Sequence, residues 1–221
     1  MPASLALWNY LIPGITFGFA AAVQPGPLSV YLISRTLQFG WKKALPAVFA
    51  PLISDGPIAV VCLLILGNLP AGFLQYLQIP GGLFLLYLAY QALRSWKKGG
   101  ERIPVSGGSS RKTLLNATLV NFLNPGPYLG WSIVIGPLFL KGWKETPLHG
   151  ILLVTGFYLT MFVITTLLIL IFHQARERGP RLQHTLVGLS AIFLSLFGLY
   201  QLYNGGMAIF DGCNLATGFT F

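Results

Sequence analysis

One carboxylic acid in this chain lies where a carboxylate is expensive. Asp55 sits in Ala50-Pro51-Leu52-Ile53-Ser54-Asp55-Gly56-Pro57, near the middle of a long apolar stretch, and no other Asp or Glu falls inside such a stretch. A charge at the centre of a bilayer costs on the order of 2.5–3.5 kcal/mol on insertion scales, and no apolar stretch offers a Lys or Arg at matching depth as a partner. Desolvation favours the neutral acid, so Asp55 suits proton uptake and release during a transport cycle. The alternative is a protonated acid held by a helix–helix hydrogen bond, from Ser54 or from the hydroxyls Thr155, Thr160, Thr165 and Thr166.

The second candidate is a duplicated backbone break. Gln24-Pro25-Gly26-Pro27 recurs 100 residues later as Asn124-Pro125-Gly126-Pro127, each inside an apolar stretch. Proline in a helix interior removes a hydrogen bond and clashes with the carbonyl four residues back, at roughly 3 kcal/mol or more, and glycine adds to that cost. Pro25 and Pro27 cannot donate to the carbonyls of Ala21 and Val23, nor Pro125 and Pro127 to those of Asn121 and Leu123. Unsatisfied groups of this kind must face protein interior or a wet cavity, where the oxygens accept from an ammonium group or a cation. The helix that resumes after each break presents unpaired N–H groups and a positive dipole end, which suits a carboxylate. Gln24 and Asn124 add an amide at the equivalent point of each break. Together these groups fit a small zwitterion better than a purely apolar molecule.

The elements that must position these groups follow from composition. Hydrophobic residues make up 54% of the chain and charged residues 9%, with a mean hydropathy of +0.70, which marks an all-α integral membrane protein. Charge breaks divide the 221 residues into six apolar segments, approximately 8–34, 44–67, 71–93, 113–140, 147–172 and 184–206; about 20 residues cross a hydrocarbon core of roughly 30 Å. The first segment has no Lys or Arg before it, unlike a cleaved signal peptide, and is expected to remain in the mature protein. With the N-terminus outside, the inner loops hold twelve Lys and Arg and the outer loops two, so the positive-inside rule puts both termini outside. The net charge of +9 therefore follows the membrane edge and implies no nucleic-acid partner. The Gly- and Ser-rich stretch 99–110 reads as a cytoplasmic linker between 1–98 and 111–206, followed by an external tail, 207–221. Each half holds three helices, so the two are inverted with respect to each other. Tyr90-Gln91 recurs near the end of the second half as Tyr200-Gln201. Matched breaks in inverted halves point to a midplane site in secondary transporters.

Other candidates carry less. Cys62 and Cys213 form neither a CxxC pair nor a metal-ligand spacing, and His149, His173 and His184 lie near membrane edges without a common spacing, so no metal or cofactor is expected. Gly14 and Gly18 make a GxxxG that serves either a homo-oligomer or packing within the chain, the second being favoured. Arg35 reads as an anchor at the cytoplasmic mouth. Trp8, Trp41, Trp96, Trp131 and Trp143 mostly fit interfacial belt positions. One buried carboxylate and no nucleophile–base pair argue against an enzyme.

Pro25-Gly26-Pro27 in the first segment, Asp55-Gly56 in the second, Gly81-Gly82-Leu83-Phe84-Leu85-Leu86-Tyr87-Leu88 ahead of Arg94 in the third, and Asn124-Pro125 in the fourth resemble, in order, the lysine exporter (LysE/RhtB-type) translocators. That resemblance implies a six-helix protein of the bacterial cytoplasmic membrane that exports amino acids. Ser54 stands where many members carry Gly before the acid, and Gly126-Pro127 follow Asn124-Pro125 where many continue with Lys. The wider superfamily also includes thiol–disulfide carriers, disfavoured because neither cysteine is at a break, and cation exporters. The expectation is a proton-coupled exporter of amino acids or related metabolites, its substrate contacted by Gln24, Pro25, Gly26, Pro27, Asn124, Pro125, Gly126 and Pro127, with Asp55 coupling to protons. The alternatives are a cation or metal exporter and a non-transport membrane scaffold.

Overall fold

In a computed structural model the chain is all-helical over the described residues, 3–64, 71–97 and 109–217. Helix α1 (Ala3–Val23) ends at the first break, and α2 (Pro27–Phe39) resumes beyond it. The two stretches Trp8–Val23 and Pro27–Phe39 are bent by 60° against each other. The expected single segment 8–34 is thus a broken pair, and it runs on to Phe39, where Gly40 at φ 82° turns the chain. That positive φ is open to glycine at no steric cost.

Helix α3 (Trp41–Ala44), a 3-10 turn (Leu45–Phe49) and α4 (Ala50–Leu64) follow without interruption. Proline explains the tight turn. Pro51 has no N–H for the carbonyl of Ala47, and the N–H of Ala50 takes that carbonyl instead, an i to i−3 bond in place of an α-helical one. Next come α5 (Ala71–Lys97) and α6 (Ser110–Phe122), the latter capped by Ser109, whose hydroxyl accepts from the N–H of Lys112. The second break separates α6 from α7 (Pro125–Leu129), which runs through a π-helical stretch (Gly130–Ile135) into α8 (Gly136–Glu145). There the N–H of Gly136 reaches back five residues to the carbonyl of Trp131. The expected segment 113–140 is accordingly a series of short pieces. Two long helices, α9 (Pro147–Glu177) and α10 (Pro180–Thr217), complete the chain. Helix α10 continues to Thr217 through most of the stretch read as a tail. The join between the expected segments 44–67 and 71–93 and most of the linker 99–110 lie outside the described residues.

Three of these stretches are long and apolar enough to cross a membrane, Trp41–Leu64, Pro147–Glu177 and Arg181–Met207, and the bent pair makes a fourth. Their outward faces are apolar: Ile12, Ile15 and Phe19 on α1, Leu159, Val163 and Leu167 on α9, and Ile192, Leu196 and Leu199 on α10 are all exposed. Lipid solvates such faces as well as protein would, so close packing has to hold the helices together. Glycine supplies it. A Cβ on Gly14 or Gly18 would run into the backbone carbonyl of Leu153 or Phe157 on α9, and one on Gly82 would lie 2.7 Å from the carbonyl of Gly198 on α10. The GxxxG of α1 therefore packs within the chain, against α9.

Several peripheral residues find specific partners. Arg35 is buried, not snorkelling, with its guanidinium carbon 4.3 Å from the ring centre of Phe39. His149 meets Glu145 at 3.2 Å and stacks on Tyr10, and His184 lies 3.0 Å from the carbonyl of Trp96. Trp8 and Trp143 are exposed, but Trp131 is not a belt residue: it is 5% exposed and packs with Tyr128 and Ile135 in the core.

Candidate functional site

Both breaks open onto one cavity of about 440 Å³, lined by Gln24, Pro25, Gly26 and Pro27 from the first and Asn124, Pro125, Gly126 and Pro127 from the second. Its volume falls within the roughly 300–1,000 Å³ usual for small-molecule sites. Asp55 from α4 also lines it and is, among the described residues, the only charged one that does. Amides and aromatic rings complete the polar lining: Gln78, Asn121, Gln201, Trp131 and Tyr200. Phe17, Phe157, Met161 and Phe197 give an apolar wall.

The two breaks differ in construction. The first leaves Gln24 to Gly26 outside any helix, and α2 begins without a side-chain cap. Leu28 and Ser29, whose N–H groups belong to the uncapped first turn of α2, line the cavity. At the second break the helix resumes two residues earlier in the motif, at Pro125, because Oδ1 of Asn124 accepts from the N–H of Gly126 at 3.2 Å. Asparagine is short enough to fold back onto its own backbone in this way, and an N-cap of this kind satisfies a donor that would otherwise be orphaned. Gln24, one methylene longer, caps nothing.

The freed carbonyls are partly reclaimed. The oxygen of Asn121 accepts from the N–H of Asn124 at 3.2 Å. Beside the nominal set, the carbonyl of Gln24 accepts from the hydroxyl of Ser29 at 3.2 Å and that of Phe122 from the hydroxyl of Tyr128 at 3.1 Å.

Asp55 is 4% exposed and held by both carboxyl oxygens. Nδ2 of Asn121 donates to Oδ1 at 2.8 Å, and the hydroxyl of Tyr158 on α9 donates to Oδ2 at 3.1 Å. The same Asn121 nitrogen reaches Oγ of Ser54 at 2.7 Å, and that hydroxyl donates to the carbonyl of Ala50 at 3.0 Å. Ser54 thus positions Asn121 and spends its own hydrogen within α4. The threonines of α9 that appeared as candidate partners are replaced by a tyrosine from the same helix.

Asn121, Tyr158, Gln78 and Gln201 escaped the sequence reading as site residues. The signal available was an amide or hydroxyl within an apolar stretch, which is common in membrane helices and becomes informative only when several meet. The recurring Tyr-Gln pairs diverge: Gln201 lines the cavity, whereas Gln91 is not among the residues that do.

A family model described as LysE type translocator matches residues 19–205. The chain belongs to that family. The match runs from the last turn of α1 into α10, so it takes in both breaks, Asp55 and all of the cavity's lining except Phe17. As a LysE type translocator the protein is a multi-pass membrane transporter and not an enzyme. No curated protein and no solved structure matches the chain.

Proposed function

We propose that this translocator exports amino acids or closely related small metabolites from the bacterial cytoplasm, by proton antiport with alternating access around the cavity between the breaks. The observation that carries the reading is the meeting of two Pro-Gly-Pro breaks, 100 residues apart in sequence, on one cavity that holds, among the described residues, a single carboxyl group. In this reading the chain crosses the membrane six times as two inverted triplets with both termini outside, and the cavity lies near the midplane where the triplets meet.

The substrate's carboxylate is taken by the uncapped first turn of α2, where the dipole and the N–H groups of Leu28 and Ser29 favour an anion. Two features support that choice of end: α2 has no competing side-chain cap, and the N–H of Gly126 at the other break is already engaged by Asn124. The apolar wall of Phe17, Phe157, Met161 and Phe197 receives the substrate's side chain. Gln24 and the free Nδ2 of Asn124 supply polar contacts at the two edges.

Asp55 carries the proton. Its two fixed donors hold its orientation, so protonation changes the charge in the cavity without requiring the carboxyl group to move. Protonation from outside and release to the cytoplasm, coupled to opposite movement of substrate, makes efflux respond to the pH gradient. Counterflow in proteoliposomes with the common amino acids, with and without an imposed pH gradient, tests this directly. Exchange that is specific and accelerated by the gradient is the expected result; folded protein that exchanges no amino acid would overturn it.

A further inference from the structure

Two acceptor oxygens meet over Gly81, and a third stands one turn away on α5. Gln78 and Gly81 lie three residues apart, on one face of α5. A Cβ on Gly81 would stand 2.6 Å from Oε1 of Gln201 and 2.7 Å from the carbonyl oxygen of Leu123. Oε1 of Gln201 and Oε1 of Gln78 are both buried without a hydrogen-bond partner, and Gln201 as a whole is 5% exposed. The α-helical donor to the Leu123 carbonyl would be the nitrogen of residue 127, which is a proline. Both glutamines line the cavity. A buried acceptor left unpaired is costly, and two of them on glutamines that line an open cavity mark a place where donors arrive.

We propose that Gln78, Gln201 and the Leu123 carbonyl form the subsite for the substrate's ammonium group. This inference rests on the export reading above and names the groups that read one end of the molecule. An ammonium brings three N–H donors to three acceptors. Gly81 is the gap that lets α10 and the second break approach α5 closely enough for the oxygens to meet. The C-terminal end of α6 adds the negative end of its dipole at Leu123. Recognition by neutral oxygens leaves Asp55 bonded to Asn121 and Tyr158, so substrate binding and proton binding use different groups. A subsite that presents these acceptors selects a cationic head against the same molecule without one, since a hydrogen in place of the ammonium leaves the oxygens unpaired.

The test is thermal protection of purified protein by each common L-amino acid and by its des-amino counterpart, in choline chloride and in sodium chloride. Wild type should be protected by one or more amino acids and not by the matching des-amino acids. Gln201→Met and Gln78→Met should each raise the half-protecting concentration by about ten- to a hundred-fold, the scale of one lost hydrogen bond to a charged group. Gln201→Glu, which keeps an acceptor, should retain protection. Equal protection of the methionine variants and wild type would overturn the subsite while leaving the export reading intact. Protection by sodium that the methionine variants lose, with amino-acid protection unchanged, would reassign the oxygens to an alkali cation and overturn it as well. Absence of protection by any amino acid in wild type would overturn the export reading and the subsite together. The two methionine substitutions lie on different helices, so if one variant fails to fold the other decides.

Discussion

Nδ2 of Asn121 bridges Oδ1 of Asp55 at 2.8 Å and Oγ of Ser54 at 2.7 Å, tying the break-bearing end of α6 to the middle of α4. One amide therefore links the carboxyl group of the cavity to the helix that leads into the second break. Movement of that break cannot leave the environment of Asp55 unchanged.

Asp55→Asn should separate coupling from exchange. The substitution keeps the size of the side chain and an acceptor oxygen but cannot take up a proton, so acceleration of counterflow by a pH gradient should vanish while exchange at equal pH persists. Gradient-driven exchange that matches wild type would remove Asp55 from the mechanism. Tyr158→Phe takes away one donor at 3.1 Å and should weaken the gradient response while lowering stability by about 1–3 kcal/mol, read as a fall in Tm.

The two amides at equivalent points of the breaks should behave differently. Asn124→Ala removes an N-cap and should cost about 1 kcal/mol of stability, with the effect on exchange following from a loosened second break. Gln24→Ala removes no cap and should leave Tm unchanged while weakening substrate exchange. Equal losses of stability in both would mean that the breaks are built alike after all.

Restoring donors at the first break should trade function for stability. Pro25→Ala with Pro27→Ala returns N–H groups to the carbonyls of Ala21 and Val23 and removes the cost, about 3 kcal/mol for each proline, that bars a helix from running through the break. The 60° bend between the two stretches should then relax toward a continuous helix. Tm should hold or rise while exchange falls by at least about tenfold, the effect of about 1.4 kcal/mol in the transport barrier. A fully active variant would mean that the bend is shape alone.

The α1–α9 contact should tolerate no side chain at Gly18. A Cβ there collides with the backbone carbonyl of Phe157, and backbone cannot swing aside as a flexible side chain can. Gly18→Leu should therefore destabilise by about 3 kcal/mol or more, seen as loss of the monodisperse peak in gel filtration. Gly56→Ala is the control, since a Cβ at Gly56 meets nothing within 4 Å.

What could be read from the sequence was local and covalent. Proline forbids particular hydrogen bonds wherever it stands, so both breaks were visible, and an isolated Asp in an apolar stretch advertises itself. The partners of Asp55 were not visible because Asn121 and Tyr158 lie 66 and 103 residues away in sequence, and only packing selects them. The equivalence of Gln24 and Asn124 was misleading at the level of a single methylene, which decides whether an amide reaches its own backbone. Trp131 reads as a belt residue because tryptophan favours membrane edges; its burial with Tyr128 and Ile135 is decided by packing that residue type does not carry.

Trp131 also provides a test of whether unpaired groups in the cavity are kept for a visitor. Its indole N–H is buried beside the Asp55 carboxyl group and the Tyr158 hydroxyl without closing a well-formed hydrogen bond to either, and the residue borders the same cavity as Asp55. For folding alone such a donor is a liability of about 1–3 kcal/mol. Trp131→Phe removes it while preserving an aromatic ring for the contacts with Tyr128 and Ile135. If the donor serves transport, the variant should keep or gain Tm and at the same time need a higher substrate concentration for half-maximal exchange. A variant that loses stability with exchange unaltered would show that the indole is there for its volume, because only packing would then have been lost.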